Sequence, residues 1–256
     1  MTTPAWSEER VAIVTGAGSG IGLAIAERLA VEGALVAVWD LNGESATTVA
    51  AGIEAAGGRA IGMTVDVSDR AGVDAGVQHV RESLGPPTIL VNNAGIAPFQ
   101  AFLKIDSDSF DKVIAVNLKG TFDCCQAVVP HMLEAGWGRI VNIASSSAQT
   151  GSAYQVHYSA SKAGVIGLTR SLARELGPKG ITVNTIPPSF VDTPALRGAE
   201  EKGFLGEGVP FHEKTTPVGR VGRPEDIASA CAFLVRDDAS YVTGQVWNVD
   251  GGFKLD

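Results

Sequence analysis

The chain has 256 residues, is 45% hydrophobic and carries a net charge of -8, with a pI near 5.0. This acidity argues against nucleic acid or an anionic membrane as a partner, and no apolar run reaches the ~20 residues of a bilayer span. Size and hydrophobic content suit one large α/β domain over residues 1–256, with a substantial core.

The opening residues 1–10 are polar and lack the apolar core of a secretory leader, so a cytoplasmic protein is expected. Residues 11–15 form a β-branched run that reads as a buried strand. This strand feeds Thr15-Gly16-Ala17-Gly18-Ser19-Gly20-Ile21-Gly22, which opens a helix over 21–31. Glycines let the backbone approach a pyrophosphate, and the helix N-terminus offers free N–H groups. Ile21 stands where the third glycine of G-x-G-x-x-G would fall. The spacing is T-G-x-x-x-G-x-G, through Gly16, Gly20 and Gly22.

A second strand over 35–39 ends at Asp40, where a carboxylate would meet an adenosine ribose. Ser19 in the loop, and Leu41 and Asn42 after the strand, stand where a cation for a 2′-phosphate would be needed. NAD(H) is therefore expected over NADP(H). Next come a helix over 46–56 and a strand over 60–65 that ends at Asp66-Val67. Asp66 suits an adenine amino group and, equally, a helix cap or loop.

After a helix over 73–84 and a strand over 89–91, Asn92-Asn93-Ala94-Gly95 is on its own only a turn signal. A helical pattern over 113–133 contains Asn117, and a strand over 140–143 precedes Ser145-Ser146-Ser147. Tyr158 and Lys162 stand four apart, so on a helix both reach one site. A phenol titrates near ~10, and a nearby cation favours the phenolate, which makes it a usable base. Alone, the pair fits a half-buried tyrosine beside a snorkelling lysine just as well. His157, next to Tyr158, points elsewhere on the helix and suits a structural or substrate-rim place.

A helix over 163–176 and a strand over 182–186 follow. Residues 193–217 then break the rhythm and read either as a lid or as a surface insertion. Pro224-Glu225-Asp226 suits the start of a helix over 227–235, and residues 246–249 read as a last strand. Gly33, Gly57, Gly85, Gly136 and Gly177 each suit a left-handed helix end. Strand–helix alternation with continuously apolar strands means a parallel sheet covered on both faces. Cys124, Cys125 and Cys231 form no C-x-x-C pair and read as reduced, buried thiols. Four histidines without ligand spacing imply no metal site.

Thr15–Gly22, Asp66-Val67, Asn92–Gly95, Asn117, Ser145, Tyr158 and Lys162 resemble, in order and spacing, the short-chain dehydrogenase/reductase family. The likeness runs from Val11 to Gly252, through Gly219–Ala228 and Asn248-Val249-Asp250-Gly251-Gly252, and is nearest to one-domain dehydrogenases that include 3-oxoacyl reductases. It implies a Rossmann-like, doubly wound sheet of about seven strands and a homo-oligomer, tetramer or dimer. It also implies a catalytic set of Asn117, Ser145, Tyr158 and Lys162. Tyr158 would exchange the proton, Ser145 hold the substrate oxygen, and Lys162 favour phenolate and bond the nicotinamide ribose. Asn117 would hold a water linking Lys162 to solvent.

The cofactor would meet Gly16, Ser19, Gly20, Ile21, Gly22, Asp40, Leu41, Asp66, Val67, Asn93, Ala94, Gly95, Pro188, Val191 and Thr193, besides Tyr158 and Lys162. The chain departs from the family at Ser189, where Pro-Gly is usual after the sixth strand. Ser189 and Phe190 are expected to reshape a pocket drawn from residues 94–99, 147–154 and 193–217, apolar or aromatic-tolerant in character. The expected function is oxidoreduction between a secondary alcohol and its ketone. An alternative is 3-oxoacyl-carrier-protein reduction, against which Asp40 and the net charge count, although Lys202, Arg220 and Arg223 could form a basic patch. A non-catalytic nucleotide-binding scaffold is a third reading, opposed by the full catalytic set.

Overall fold

The computed structural model describes residues 5–255; of the polar opening stretch, residues 1–4 lie outside them. The first half alternates strictly: β1 (Val11–Thr15), α1 (Gly20–Val31), β2 (Leu35–Asp40), α2 (Gly43–Ala55), β3 (Arg59–Thr64), α3 (Arg70–Ser83) and β4 (Ile89–Asn92). Then come α4 (Ser107–Ile114), a π turn (Ala115–Lys119), α5 (Gly120–Ala135), β5 (Gly138–Ile143), the short α6 (Ser147–Thr150) and α7 (Val156–Leu176). The chain closes with β6 (Ile181–Ile186), α8 (Pro194–Glu201), α9 (Val209–Thr215) and α10 (Pro224–Leu234).

The strands form one parallel sheet in the order β3-β2-β1-β4-β5-β6. Strands β1, β4, β5 and β6 are buried along their whole length, as continuous apolar runs demand when helices cover both faces. One apolar layer joins the sheet to α1, α2 and α10; the other joins it to α3, α5 and α7. Strand order reverses between β1 and β4. Their C-terminal ends therefore splay apart and open a crevice, the place where ligands bind in such sheets.

The sheet has six regular strands, not seven. Residues 246–249 run beside β6 but touch it only at the bridges Thr185↔Val246 and Pro188↔Val249. Thr185 N donates to the Gln245 carbonyl and Trp247 N to the Thr185 carbonyl, but the next residue on that edge, Pro187, has no N–H with which to continue the ladder. The expected helix over 113–133 is likewise two helices joined by the π turn that holds Asn117. Four of the five expected glycine helix ends are left-handed; Gly177 is helical (φ -53°), and the turn comes at Gly180 (φ 80°).

The excursion after Thr193 is ordered into α8 and α9. Leu205, Val209 and Val221 form its own small core, with Phe99, Phe190 and Leu196 packed against it. Phe99 stacks on Phe204 at 4.8 Å, which ties the excursion to the loop after β4.

The layered core predicts a sharp contrast in stability. Ile140→Ala, at a fully buried β5 position, should cost about 2–5 kcal/mol in urea denaturation. Val31→Ala, at an exposed position of α1, should stay within about 0.5 kcal/mol. Equal effects would mean that the sheet is not where the core lies.

Candidate active site

The crevice begins with the loop from β1 to α1. Gly16 and Gly20 are left-handed, at φ 61° and 57°. A Cβ on Gly22 would stand 2.3 Å from the Gly16 carbonyl oxygen and 2.5 Å from Asn93 Nδ2. Only glycine lets the loop lie so tightly against the segment after β4. That segment holds the loop in turn: Asn93 Nδ2 donates to the Thr15 and Gly16 carbonyls (3.0 and 2.9 Å), while Thr15 Oγ1 accepts from Asn93 N and Ala94 N (3.0 Å each). Ser19 precedes α1 without capping it through its side chain, so the helix offers its first N–H groups and dipole to an anion.

Asp40 ends β2 with both carboxylate oxygens on backbone donors: Oδ2 accepts from Gly18 N and Oδ1 from Asn42 N, each at 2.9 Å. The anion is thus tied to the glycine loop itself. Asp66 Oδ1 accepts from Ser68 N (2.8 Å) and Ser68 Oγ (2.6 Å), the turn role that its sequence setting also allowed. Both carboxylates line the crevice.

At the other end, α7 places Tyr158 and Lys162 on one face, opposite Ser145 at the end of β5. Lys162 Nζ donates to the Ile143 carbonyl at 2.8 Å and lies 6.0 Å from the Tyr158 ring centre. Burial drives the ammonium down to about 8. Tyr158 goes the other way: burial raises the phenol, and its hydrogen bond with Ser145 pulls it partly back. Lys162 was expected to make Tyr158 more acidic. Burial instead raises the phenol, and the opposing influence comes from Ser145.

Asn117 is fully buried beneath the crevice rather than on its wall. Its Oδ1 accepts from Ile96 N (2.8 Å), and its Nδ2 donates to the Ile96 carbonyl (2.9 Å) and Ser161 Oγ (3.0 Å). Ser161 Oγ donates onward to the Tyr158 carbonyl (2.7 Å), so Asn117 locks the loop after β4 to α7. Both amide hydrogens are spent on protein groups.

The crevice encloses about 640 Å³ and brings together Gly16, Ser19, Gly20, Ile21, Asp40, Leu41, Asp66, Val67, Asn93, Ala94, Gly95, Ser145, Tyr158, Lys162, Pro188 and Thr193. Gly22 and Val191, like Asn117, lie behind the wall; Val191 is buried in a bridge to Gly222. Thr193 Oγ1 also caps α8 by accepting from Leu196 N (3.2 Å). Ser189 lines the crevice while donating to the Asp250 carbonyl (3.1 Å). Phe190 does not line it. Its ring stacks on His212 at 3.6 Å and meets Phe253 edge-on, anchoring the excursion. His157 is buried outside the crevice, with its pKa lowered by that burial.

Lys112, Ala115 and Val116 line the crevice without having been expected. Their i, i+3, i+4 spacing is the available signal, a helix face turned inward just before Asn117. Among the described residues no cluster of acids, cysteines or histidines could hold a metal, and no helix is long and apolar enough to cross a membrane.

The family model described as enoyl-(acyl carrier protein) reductase matches residues 16–254. The chain belongs to the short-chain dehydrogenase/reductase family. It is 44% identical to (2S)-[(R)-hydroxy(phenyl)methyl]succinyl-CoA dehydrogenase subunit BbsD of Thauera aromatica, over 97% of this chain and 98% of that one. Identity to D-threitol dehydrogenase of Mycolicibacterium smegmatis is 42%, over 96% and 93%. Identity to 3-oxoacyl-[acyl-carrier-protein] reductase FabG of Pseudomonas aeruginosa is 40%, over 96% and 98%. This short-chain dehydrogenase/reductase is an oxidoreductase, and its glycine loop, cradled on Asn93 and uncapped at α1, fits the pyrophosphate of the nicotinamide cofactors the family uses.

The buried Lys162 gives a stability prediction. Its folded pKa lies below the usual value of 10.5, so between about 8 and 10.5 the unfolded chain binds the extra proton and stability rises with pH. Lys162→Met should raise stability at pH 7 by about 1–2 kcal/mol, net of the Ile143 carbonyl left without its donor. That advantage should shrink as pH climbs towards 10. A variant less stable than the parent at pH 7 would contradict the burial cost.

Proposed function

We propose that the crevice is the active site of an NAD(H)-dependent oxidoreductase that interconverts a secondary alcohol and its ketone, with Tyr158 as general acid/base. The observation that carries this reading is the meeting of Tyr158, Ser145 and Lys162 at one end of a crevice whose other end is the glycine loop and Asp40. When bound, the nicotinamide supplies or accepts the hydride. Tyr158 exchanges a proton with the substrate oxygen, and Ser145 donates to that oxygen as its charge develops. Lys162, held by Ile143, bonds the nicotinamide ribose and supports the phenolate. Asn117 acts indirectly, by fixing the loop and helix that carry these groups.

Gly16, Ser19, Gly20, Ile21 and Gly22 form the pyrophosphate cradle. Asp40 and Leu41 hold the adenosine ribose, Asp66 and Val67 the adenine, and Asn93, Ala94 and Gly95 the floor. Pro188, Val191 and Thr193 flank the carboxamide. A 2′-phosphate would meet the Asp40 carboxylate, and no arginine lines the crevice, which supports NAD(H) over NADP(H). We read residues 1–256 as a single domain with residues 193–217 as its lid, working as a cytoplasmic homo-oligomer, dimer or tetramer, on a small-molecule alcohol or ketone.

A second reading, reduction of carrier-bound 3-oxoacyl groups, is favoured by the 40% identity to FabG. A panel of free ketones, acyl-CoA thioesters and acyl-carrier thioesters separates the two.

Tyr158→Phe should lower turnover by a factor of about 10³ or more while leaving NADH affinity within about twofold, by fluorescence titration. Retained turnover would refute the role of Tyr158. NADH should bind at least about tenfold more tightly than NADPH, and Asp40→Ser should narrow that gap. Tighter NADPH binding in the parent would overturn the assignment to NAD(H).

A further inference from the structure

Ser147 stands two residues beyond Ser145, at the start of α6, and is buried off the crevice wall. It is nevertheless bound to Ser145 twice: Ser147 N donates to Ser145 Oγ at 3.2 Å, and Ser147 Oγ donates to the same oxygen at 2.9 Å. A serine hydroxyl has two acceptor lone pairs and one proton. Both lone pairs of Ser145 are therefore occupied from behind, and the O–H is the one group it has left to offer. Tyr158 lines the same crevice.

We propose that Ser147 is a positioning residue that fixes Ser145 as a hydrogen-bond donor, its proton aimed at the reacting oxygen. Without Ser147, the Ser145 hydroxyl can rotate and offer a lone pair instead. An acceptor there would repel a phenolate or a developing alkoxide. With Ser147 in place, the Ser145 proton is the group left for the crevice, which Tyr158 also lines. The neighbourhood keeps Ser147 still, because Ser146 N donates to the Pro188 carbonyl (2.8 Å) and Gly151 N to the Ser147 carbonyl (3.0 Å). This assignment rests on the proposed role of Ser145 and Tyr158, and extends it to a residue outside the crevice.

The test titrates the phenol itself, so it needs no known substrate. The chain has three tyrosines, of which Tyr154 and Tyr241 are exposed. Subtracting a Tyr158→Phe titration from that of the parent isolates Tyr158 in the ultraviolet difference spectrum of the full-length protein, with NAD⁺ at saturation. The other ionisable groups of the crevice are Lys162 on the same helix, Lys112 on α4, and Asp40 and Asp66 at the ends of β2 and β3. All are retained in every variant, as is the neighbouring His157.

Ser147→Ala should move the Tyr158 midpoint up by about half a pH unit, because the phenolate loses an aligned donor. Ser145→Ala should move it at least as far. In the Ser145→Ala background, Ser147→Ala should add nothing, as a residue acting only through another must. Once the ketone panel yields a substrate, turnover of Ser147→Ala should fall about three- to tenfold with NADH affinity unchanged. An unmoved midpoint in Ser147→Ala, or a full further rise in the double variant, overturns the proposal. If Ser145→Ala shifts the midpoint and Ser147→Ala does not, this inference fails and the proposed function stands. If Tyr158→Phe keeps its turnover, the proposed function fails with it.

Discussion

The glycine loop packed on the end of β4 is the constraint from which the site follows. Thr15 and Asn93 lock the two strands at the point where the sheet changes direction. The lock needs Gly22 bare, since any side chain there would strike the Gly16 carbonyl and the Asn93 amide. It also fixes Ala94 and Gly95, and through Ile96 the buried amide of Asn117. Asn117 holds Ser161 of α7, the helix that carries Tyr158 and Lys162. One chain of short contacts therefore runs from the glycine loop to the end that holds Tyr158 and Lys162.

Burial is the second theme, and it acts against the charged forms. Lys162 and Tyr158 are pushed in opposite directions, each towards neutrality. Every dipole fixed inside such a site acts at low effective dielectric. The hydrogen bonds already present point the right way: Ile143 holds the ammonium, and Ser147 holds Ser145.

Much of this was legible in the residues. Continuous apolar runs marked β1, β2, β4, β5 and β6, because strands buried on both faces carry no polar alternation. The glycine loop and Asp40 were legible because their chemistry is local to one strand–turn–helix. What escaped was set by contacts distant in sequence. Residues 246–249 have the composition of a strand, but Pro187 ends the edge with which they would pair. The π turn at Asn117 adds one residue to a turn without changing the apolar pattern. Lys112, Ala115 and Val116 face the crevice only because α4 and that turn present them there. Thr193 was read for a cofactor contact, while its hydroxyl also caps α8.

In the proposed reaction one crevice brings a hydride donor bound at Asp40 to an oxygen protonated from Tyr158. Incubation of the enzyme with a ketone and NADH deuterated at the transferring position of its nicotinamide tests it most directly, with the product read by mass spectrometry and NMR. The expected product carries one deuterium on the carbinol carbon and a solvent-exchangeable proton on its oxygen. An alcohol formed without deuterium on that carbon, or deuterium delivered only from the correspondingly labelled NADPH, would contradict it.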